Sequence, residues 1–354
     1  KGVKVLDHHT GIVTDYYAPV TVNAGGIWGH HIAQMAGANI SMFPAKGALL
    51  IFAHRVNSVV INRCRKPANA DILVPGDTVC VIGTTSTRVP YEECDHLKVT
   101  PDEVDLLLTE GAKLAPCLAE TRVLRAYAGV RPLVSADNDP SGRNISRGIV
   151  CLDHESRDGI KGFISITGGK LMTYRLMGEM AADAVCKKLG RDAKCVTADT
   201  PLPGSEPGGI EEISKKIWEV PTMVQKASVG RFGTQAAKLD FDGDVKGSLV
   251  CECEEVSVSE VDSAIENLEV NNLVDLRRRT RFGMGTCQGE LCACRAAGRL
   301  AKARKCTSKA RADLKDFMNE RWKGMYPVAW GETLRESAYT QWVYSEVMGL
   351  GEEI

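Results

Sequence analysis

The sequence predicts an α/β domain interrupted by an inserted α+β domain and followed by a small, mainly helical domain that binds a metal centre. Three observations support this prediction. A short apolar strand runs into small residues and a helix near residue 23, residues 40–125 are rich in strand-like segments, and five cysteines cluster between residues 251 and 294. The chain of 354 residues is long enough for two or three domains with a sizeable core.

The composition is that of an ordinary globular protein, with a formal net charge of −1. This charge gives no overall attraction to nucleic acid or to an anionic membrane, so we expect no nucleic-acid partner. No run of about 18 apolar residues occurs, so we expect no transmembrane segment. The thirteen cysteines are an odd number and several lie in apolar runs, which favours reduced thiols in a cytoplasmic protein over a disulfide framework.

The first elements have the pattern of a nucleotide-binding fold. Val3–Leu6 and Ala18–Asn23 resemble two strands joined by a turn at residues 9–11. The second strand ends in the small residues 24–26, and His30–Ala36 then has a helical pattern. In α/β folds such a strand brings the backbone close to a nucleotide. The signal is weak alone, because many glycine-rich turns serve only steric needs.

Residues 40–125 predict a strand-rich inserted domain. The Pro-Gly-Asp sequence at residues 75–77 indicates a hairpin turn. Thr100 has the pattern of a helix N-cap, with Pro101 at the first helical position and Glu103 completing a capping box. The predicted strands are short, and the clearest are Ala48–Phe52, Ile72–Pro75 and Thr78–Gly83.

The α/β pattern resumes after the insertion. A strand at Ile164–Thr167 is followed by a Gly-Gly-Lys turn and a helix at Thr173–Leu189. Residues 197–209, with three prolines and three glycines, form the clearest linker, and a helix is expected near Ile213–Trp218. The tail from Ala310 onward is mainly helical, and we expect its apolar stripe to dock on its own domain rather than on a membrane.

Four of the clustered cysteines predict an inorganic centre. Cys251 and Cys253 form a C-x-C pair, and after 33 further residues Cys287 and Cys292 form a second pair. Two close pairs held by a helical hairpin can bring four thiolates around one small centre, and thiolates are ligands of both zinc and iron–sulfur clusters. Cys294 is a spare cysteine that we expect to be structural.

The spacing favours an iron–sulfur cluster over zinc. Structural zinc sites usually use cysteine pairs separated by two to four residues, whereas a C-x-C pair holds its sulfur atoms further apart, which suits a [2Fe–2S] cluster. Gly283, Gly285 and Gly289 surround the second pair and allow backbone N–H groups to approach the sulfurs. A structural zinc ion is the alternative.

A run of arginines precedes the second cysteine pair. It lies at the end of a helix predicted at Asn272–Arg279, and an earlier helix is predicted to begin with a capping box formed by Ser257 and Glu260. These arginines could offset the negative charge of a cluster, meet an acidic redox partner, or form a solvated helix face. The residues are Arg277, Arg278, Arg279 and Arg281.

Residues 250–300 resemble the bacterioferritin-associated ferredoxin type of [2Fe–2S] domain. The matching stretches read LVCECEEVSVSEVDSAI and DLRRRTRFGMGTCQGELCACR. The resemblance implies that the ligands of the cluster are Cys251, Cys253, Cys287 and Cys292.

Five motifs before that domain resemble the FAD-dependent glycerol-3-phosphate dehydrogenase family. Together with the cysteine domain and the tail sequence NERWKGMYPVAWGE (319–332), they are similar to the large, FAD-containing subunit of the anaerobic members of the family. In chain order the motifs are VNAGGIWG (22–29), KGALLIF (46–52), IGTTS (82–86), YAGVRPL (127–133) and ITGGKLMTYR (166–175).

The resemblance implies oxidation of sn-glycerol 3-phosphate to dihydroxyacetone phosphate, with FAD and a [2Fe–2S] cluster as cofactors. Arg131 and Arg147 match substrate-facing arginines of the family and Lys170 matches an active-site lysine, as a dianionic phosphate requires cationic donors. The residues expected to border the flavin are Asn23, Ala24, Gly25, Gly168, Gly169, Leu171, Met172 and Thr173.

The resemblance also implies a domain order and partners. Partner subunits B and C would pass electrons to menaquinone and hold the cytoplasmic protein at the inner membrane. The implied domains are residues 1–36 and 125–190 as part of an FAD-binding Rossmann-like domain, 37–124 as a substrate or cap domain, 191–247 as a linker region, 248–309 as the [2Fe–2S] domain and 310–354 as a helical tail.

The sequence departs from the family pattern in two places. Leu49 stands where some members have a histidine, so no proton acceptor is assigned from that motif. No G-x-G-x-x-G motif occurs near residue 1, so the unit that holds the FAD pyrophosphate is missing. We therefore expect the chain to be a fragment that has an incomplete FAD-binding domain, binds FAD weakly and is inactive alone.

Two other functions stay open. One is an FAD-dependent dehydrogenase or oxidase of another 2-hydroxy acid or of an amine, which would not need Arg131, Arg147 and Lys170 together. The other is a non-catalytic electron-transfer or metal-binding module, which would show a cluster without flavin and without turnover.

Overall fold

The computed structural model describes residues 2–8, 10–134, 148–207, 212, 215, 222–242 and 245–351. The chain folds into two units. Unit 1 comprises residues 1–47, 86–97 and 128–200, and unit 2 comprises residues 48–85, 98–127 and 201–354. The helix predicted near Ile213–Trp218 falls almost entirely outside the described residues. The domain boundaries predicted from the sequence stay predictions.

The strands are, in chain order, β1 (Gly2–Leu6), β2 (Val13–Tyr17), β3 (Thr21–Asn23), β4 (Met42–Phe52), β5 (Ile61–Asn62), β6 (Ile72–Pro75), β7 (Cys80–Gly83), β8 (Thr87–Arg88), β9 (Val123–Val134), β10 (Ile149–Asp153), β11 (Phe163–Gly168), β12 (Leu249–Cys251) and β13 (Val256–Ser257).

The α-helices are α1 (Gly29–Met35), α2 (Pro101–Leu114), α3 (His154–Asp158), α4 (Tyr174–Lys188), α5 (Met223–Phe232), α6 (Val258–Asn267), α7 (Leu273–Thr280), α8 (Ala293–Arg304), α9 (Ala310–Met325) and α10 (Gly331–Trp342). No described helix combines the length and the hydropathy that crossing a membrane requires.

Unit 1 begins with an exposed hairpin that corrects one prediction. β1 pairs with β2 in antiparallel register, from Gly2 opposite Tyr17 to Leu6 opposite Val13. The sequence instead suggested that the first strand is joined by a turn to Ala18–Asn23. That prediction is wrong because the partner of the first strand is Val13–Tyr17, which is exposed at every position and has no apolar alternation to indicate a strand. β3 belongs to another sheet.

The central sheet of unit 1 has the order β10-β11-β3. β11 runs antiparallel to β10 and parallel to β3, with Ser165 opposite Asn23. Helices α1 and α4 pack on this sheet. Because β3 and β11 are parallel, the turns that follow them leave the sheet at the same edge, where α/β folds bind their ligands.

Unit 2 contains an antiparallel sheet in which β6 pairs with both β5 and β7, and β7 pairs with the second half of β4. The turn predicted at residues 75–77 joins β6 to β7. The predicted capping box also forms, since the Thr100 hydroxyl accepts from the Glu103 backbone N–H and the Glu103 carboxylate accepts from the Thr100 N–H.

The largest core of unit 2 surrounds the two cysteine pairs. Helices α6 to α9 and the loop after α7 contribute apolar side chains to it. Phe282 of this loop and Phe317 of α9 stack with their ring centroids 5.3 Å apart. The apolar stripe predicted in the tail is divided between core and solvent. Leu350 is buried and Val343 packs against this core, whereas the exposed members of the stripe are Tyr339, Trp342 and Val347.

A buried ion pair joins α5 to α6. The Arg231 guanidinium donates to both carboxylate oxygens of Glu260, at 2.7 and 2.9 Å, and the Glu260 side chain has no solvent exposure. The same carboxylate accepts from the Ser257 N–H in the predicted capping box. Arg231 also donates to the carbonyl oxygens of Glu254 and Glu255, so α5 supports the loop that follows the first cysteine pair.

Removal of the buried carboxylate tests this support. Glu260→Gln leaves Arg231 without its counter-charge, and we expect the free energy of unfolding to fall by about 3 kcal/mol, measured by urea denaturation under reducing conditions. Glu332→Gln is the matched control, because Glu332 pairs with Arg335 on the exposed surface of α10 and should cost less than about 0.5 kcal/mol. Equal losses in the two variants would contradict this account.

Candidate cofactor sites

The four predicted cysteine ligands come from one hairpin and one loop of unit 2. Cys251 ends β12, which pairs with β13, and Cys253 lies in the turn between these two strands. Cys287 lies in the loop after α7, and Cys292 immediately precedes α8. All thirteen cysteines of the chain are free thiols, as the sequence predicts.

The two pairs meet sulfur to sulfur. The Cys253 thiol donates to Cys287 Sγ across 3.7 Å. Cys292 is within hydrogen-bonding reach of both Cys251 and Cys287, so all four sulfurs form one connected group. Cys251 and Cys292 are each 1% exposed, whereas Cys253 and Cys287 are partly exposed. One edge of this group therefore opens toward solvent.

Hydrogen bonds among the thiols separate their pKa values. The bond from Cys292 lowers the pKa of Cys251 to about 7, and bonds from Cys253 and Cys292 lower the pKa of Cys287 to about 2. The pKa of Cys253 is raised by its bond to Cys287, and that of Cys292 by its bonds to Cys251 and Cys287. Cys251 and Cys287 are thus favoured as thiolates, the form in which cysteine binds metals, whereas Cys253 and Cys292 hold their protons.

Glycines allow the second loop to approach the first pair. A Cβ atom at Gly285 would lie 2.3 Å from Cys253 Cβ. Gly289 has φ of +95°, and a Cβ there would lie 2.6 Å from the ring of Phe317. Side chains at these two positions would therefore push the loop away from Cys253 and from the core.

A glutamine clamps the loop between Cys287 and Cys292. The Gln288 side chain is 1% exposed, and its Nε2 donates to the carbonyl oxygens of Met284 and Gly285 at 3.0 and 2.9 Å. Its Oε1 accepts from Arg277 at 3.0 Å. Burial lowers the pKa of Arg277 to about 9. Arg277 thus differs from the other three arginines of the run, a distinction that the sequence did not reveal.

The buried residue Glu254 fixes the first cysteine loop. Its carboxylate accepts from the Thr78 hydroxyl and from Arg281 Nε, both at 2.8 Å. Arg281 also lies 3.1 Å from Asp77. The turn between β6 and β7 is therefore tied to the cysteine site across 176 residues of sequence, a contact that no sequence pattern indicated.

The donor set fits a [2Fe–2S] cluster, because four reduced and adjacent thiols are the ligands that such clusters use. In the part of the chain that the structure describes, no three His, Cys, Asp or Glu side chains are arranged to hold a single metal ion.

The residues predicted to border the flavin lie at one edge of the sheet in unit 1. Asn23 ends β3 and is buried, and its Nδ2 donates to the Gly29 carbonyl oxygen at 2.8 Å and to Ser165 Oγ at 3.1 Å. Its Oδ1 accepts from the Gly25 N–H at 3.2 Å. Asn23 therefore shapes the turn that contains Ala24 and Gly25 instead of offering its amide freely to a ligand.

The second predicted segment follows β11 at the same edge. Gly168 and Gly169 have φ of +74° and +67°, and a Cβ at Gly168 would lie 2.4 Å from the Gly148 carbonyl oxygen. The Lys170 N–H donates to Thr173 Oγ1 at 3.0 Å, which closes the turn before α4. This turn therefore needs both glycines and the threonine hydroxyl.

Two apolar side chains at the start of this helical segment are left in solvent. Leu171 is 90% exposed and Met172 is 80% exposed. Neighbouring apolar side chains with this exposure mark a surface that a ligand or another segment covers. The Lys170 side chain is also exposed, beside them.

The structure places Arg131 but not every predicted substrate residue. Arg131 lies on β9 and donates to the Lys46 carbonyl oxygen at 3.5 Å, and a Cβ at Gly47 would lie 2.5 Å from its guanidinium. Gly47 therefore makes room for Arg131 within unit 1. Arg147 lies outside the described residues.

Behind Asn23 is a hydrogen-bonded chain that the sequence analysis missed. His154 Nδ1 lies 2.5 Å from Asp158 Oδ2, and His154 Nε2 lies 2.8 Å from Ser165 Oγ, which also accepts from Asn23. Because the carboxylate only accepts, Nδ1 donates to it, and the second hydrogen bond joins Nε2 to the serine hydroxyl. His154 and Ser165 are buried, whereas Asp158 at the far end of the chain is exposed, so the buried part of the chain positions Asn23.

Comparisons with known proteins identify both domains. Residues 1–175 match the FAD dependent oxidoreductase family, and residues 249–300 match the BFD-like [2Fe-2S] binding domain. The predicted fold class, an α/β flavoprotein fold followed by a mainly helical [2Fe–2S] domain, is confirmed, and the two matches support FAD and the cluster as cofactors.

Relatives confirm the resemblance to the anaerobic enzymes. The chain is 58% identical over 352 residues to the A subunit of anaerobic glycerol-3-phosphate dehydrogenase from Haemophilus influenzae, an alignment that covers 99% of this chain and 62% of that protein. It is 59% identical over 353 residues to the corresponding protein of Escherichia coli K12, covering 99% and 65%. The chain thus spans less than two thirds of the length of these relatives.

A solved structure supports the fold. The chain resembles the glycerol-3-phosphate dehydrogenase from Bacillus halodurans, which was crystallised with FAD, with a TM-score of 0.67 and 21% sequence identity. The match covers 94% of this chain and 67% of that one. At this identity the likeness shows the fold alone.

A methyl group beside Cys253 tests the cysteine site. In Gly285→Ala the new Cβ collides with Cys253 Cβ, and we expect iron bound per chain to fall by more than half after anaerobic purification. In the control, Gly298→Ala, the new Cβ meets nothing within 4 Å and lies in α8, where alanine is the better helix former. Full iron in Gly285→Ala, or an equal loss in the control, would show that the loop does not need this close approach.

Proposed function

We propose that the protein oxidises sn-glycerol 3-phosphate to dihydroxyacetone phosphate with FAD and passes the electrons on through a [2Fe–2S] cluster. One observation carries the proposal. A single chain combines an FAD dependent oxidoreductase domain with a BFD-like domain, and its identity of 58–59% to the A subunits of the anaerobic dehydrogenases extends over 99% of its length.

In this proposal the edge of the sheet in unit 1 borders the flavin, which supplies the hydride acceptor when bound. Asn23 holds the turn after β3, and the glycines after β11 allow the backbone to approach the ring. The exposed Leu171 and Met172 provide an apolar surface for it. The bordering residues are Asn23, Ala24, Gly25, Gly168, Gly169, Leu171, Met172 and Thr173.

Cationic side chains bind the phosphate of the substrate. Arg131, Arg147 and Lys170 have this role in our proposal, because a dianionic phosphate is stabilised by charged donors and arginine can bind two of its oxygens at once. Gly47 leaves space for the Arg131 guanidinium on the neighbouring strand. The turn fixed by Thr173 holds the backbone from which the Lys170 side chain extends.

The four thiols of unit 2 hold the cluster that carries electrons onward one at a time. Cys251 and Cys292 bind it on the buried side, and Cys253 and Cys287 on the partly exposed side. We propose that partner subunits B and C accept these electrons, deliver them to menaquinone and hold the cytoplasmic chain at the inner membrane.

Replacement of Lys170, which we propose binds the phosphate of the substrate, tests substrate binding. In the full-length protein with FAD, Lys170→Met should lower kcat/KM for glycerol 3-phosphate about 10- to 100-fold, the value of one hydrogen bond between charged groups. The measurement is anaerobic dye reduction with glycerol 3-phosphate and with glycerol. Lys187→Met, at the exposed far end of α4, is the matched control and should keep normal activity. Equal rates with glycerol and glycerol 3-phosphate would contradict the proposed substrate.

Replacement of one cysteine distinguishes the step at the flavin from the step at the cluster. In Cys253→Ser of the full-length protein, glycerol 3-phosphate should still bleach the flavin absorption, because unit 1 is unchanged. Reduction of quinone by the complex with its partner subunits should fall at least tenfold. Stopped-flow absorption and quinone reduction measure the two steps, and unchanged quinone reduction would show that the cysteines do not lie on the electron path.

A further inference from the structure

A cavity of about 770 Å³ opens beside Cys253 in unit 2. Helix α5 lines one side with Lys226 and Arg231, and the end of α7 lines another side with Arg278 and Arg279. Of the four cysteines of the site, Cys253 lines this cavity, and its side chain is partly exposed. The cavity therefore reaches the exposed edge of the thiol group.

Basic residues outnumber acidic residues in the lining, five to three. Two of the arginines are already neutralised. Arg231 is paired with the buried Glu260, and Arg281 is paired with Asp77 and Glu254. Both pairs belong to the scaffold that holds the cysteine loop, so these charges are not available to a partner.

Three cations remain available to a partner. Within the described part of the chain, neither Lys226 nor Arg278 has an ion pair, and Arg279 has a loose one, with Asp275 at 3.6 Å. Arg278 and Arg279 are exposed, whereas Arg277 on the same helix turns inward to Gln288. Arg277 is therefore suited to offset the charge of the cysteine site, and the exposed cations are suited to bind a molecule from outside.

We propose that this basic cavity is the docking site for an acidic surface segment of the redox protein that accepts electrons from the cluster. The inference rests on the proposed function, since that function requires such an acceptor. Complementary charge accelerates and orients a transient encounter without demanding a large apolar interface. An electron acceptor must also approach the exposed side of the cysteine site, and the cavity opens on that side, beside Cys253.

Charge reversal tests the docking site. The full-length protein carries an affinity tag, is co-expressed with partner subunits B and C, and is compared with the double variant Lys226→Glu/Arg278→Glu. We expect the variant to retain less than a tenth of the partner subunits retained by the unchanged protein at moderate salt, while iron per chain and flavin bleaching by substrate stay the same. Lys302→Glu is the control, because Lys302, like Arg278, is an exposed cation in the last turn of a helix of the same unit.

The outcomes separate this inference from the proposed function. Full retention of the partners by the double variant, or an equal loss in Lys302→Glu, overturns the docking site while the proposed function stands. If the double variant loses binding of inorganic phosphate but retains the partner subunits in full, the docking site is also overturned and the cavity is assigned to a small anion. A full-length protein that contains zinc without sulfide, or retains no partner, overturns both proposals.

Discussion

The contact between the C-x-C hairpin and the loop from Cys287 to Cys292 is the constraint around which unit 2 is arranged. Four thiols within hydrogen-bonding reach repel one another once they ionise, so the backbone must hold them together against that repulsion. Three polar supports do so from different directions. Arg231 with Glu260 holds α5 to α6, Glu254 ties the hairpin to Thr78, and Gln288 clamps the loop.

These supports explain why the surroundings of the cysteines are so polar for a core. A buried carboxylate such as Glu254 or Glu260 is tolerated only when its charge and its lone pairs are satisfied, and each accepts from a positioned arginine and from a second donor. The apolar stacking of Phe282 and Phe317 then fills the space behind the loop. In unit 1, buried polar groups are satisfied in a similar way by the hydrogen-bonded chain that runs from His154 through Ser165 to Asn23.

Local features were predictable from the sequence because neighbouring residues decide them. The capping boxes at Thr100 and Ser257 form as their spacing indicates, and the C-x-C spacing identified the cysteine site. Contacts between distant segments were not predictable. The pairing of β1 with Val13–Tyr17 depends on competition between strands, and the contact of Thr78 with Glu254 joins residues that no local pattern connects.

The orientation of individual side chains within a run of like residues could not be predicted from the sequence either. Successive residues on a helix differ by about 100° in direction, so adjacent arginines such as Arg277 and Arg278 cannot share one environment, but only packing decides which of them faces inward. For the same reason, the motif that contains Asn23 predicts a place beside the flavin but did not reveal that its amide is already engaged by Gly29 and Ser165.

Assays of iron, acid-labile sulfide and zinc on protein purified without oxygen test the central claim most directly. A [2Fe–2S] cluster on the four cysteines predicts about two irons and two sulfides per chain, with visible absorption that dithionite bleaches. Stoichiometric zinc with neither iron nor sulfide would contradict the account, because the cysteine site would then be structural and electrons would need another route out of the flavin domain.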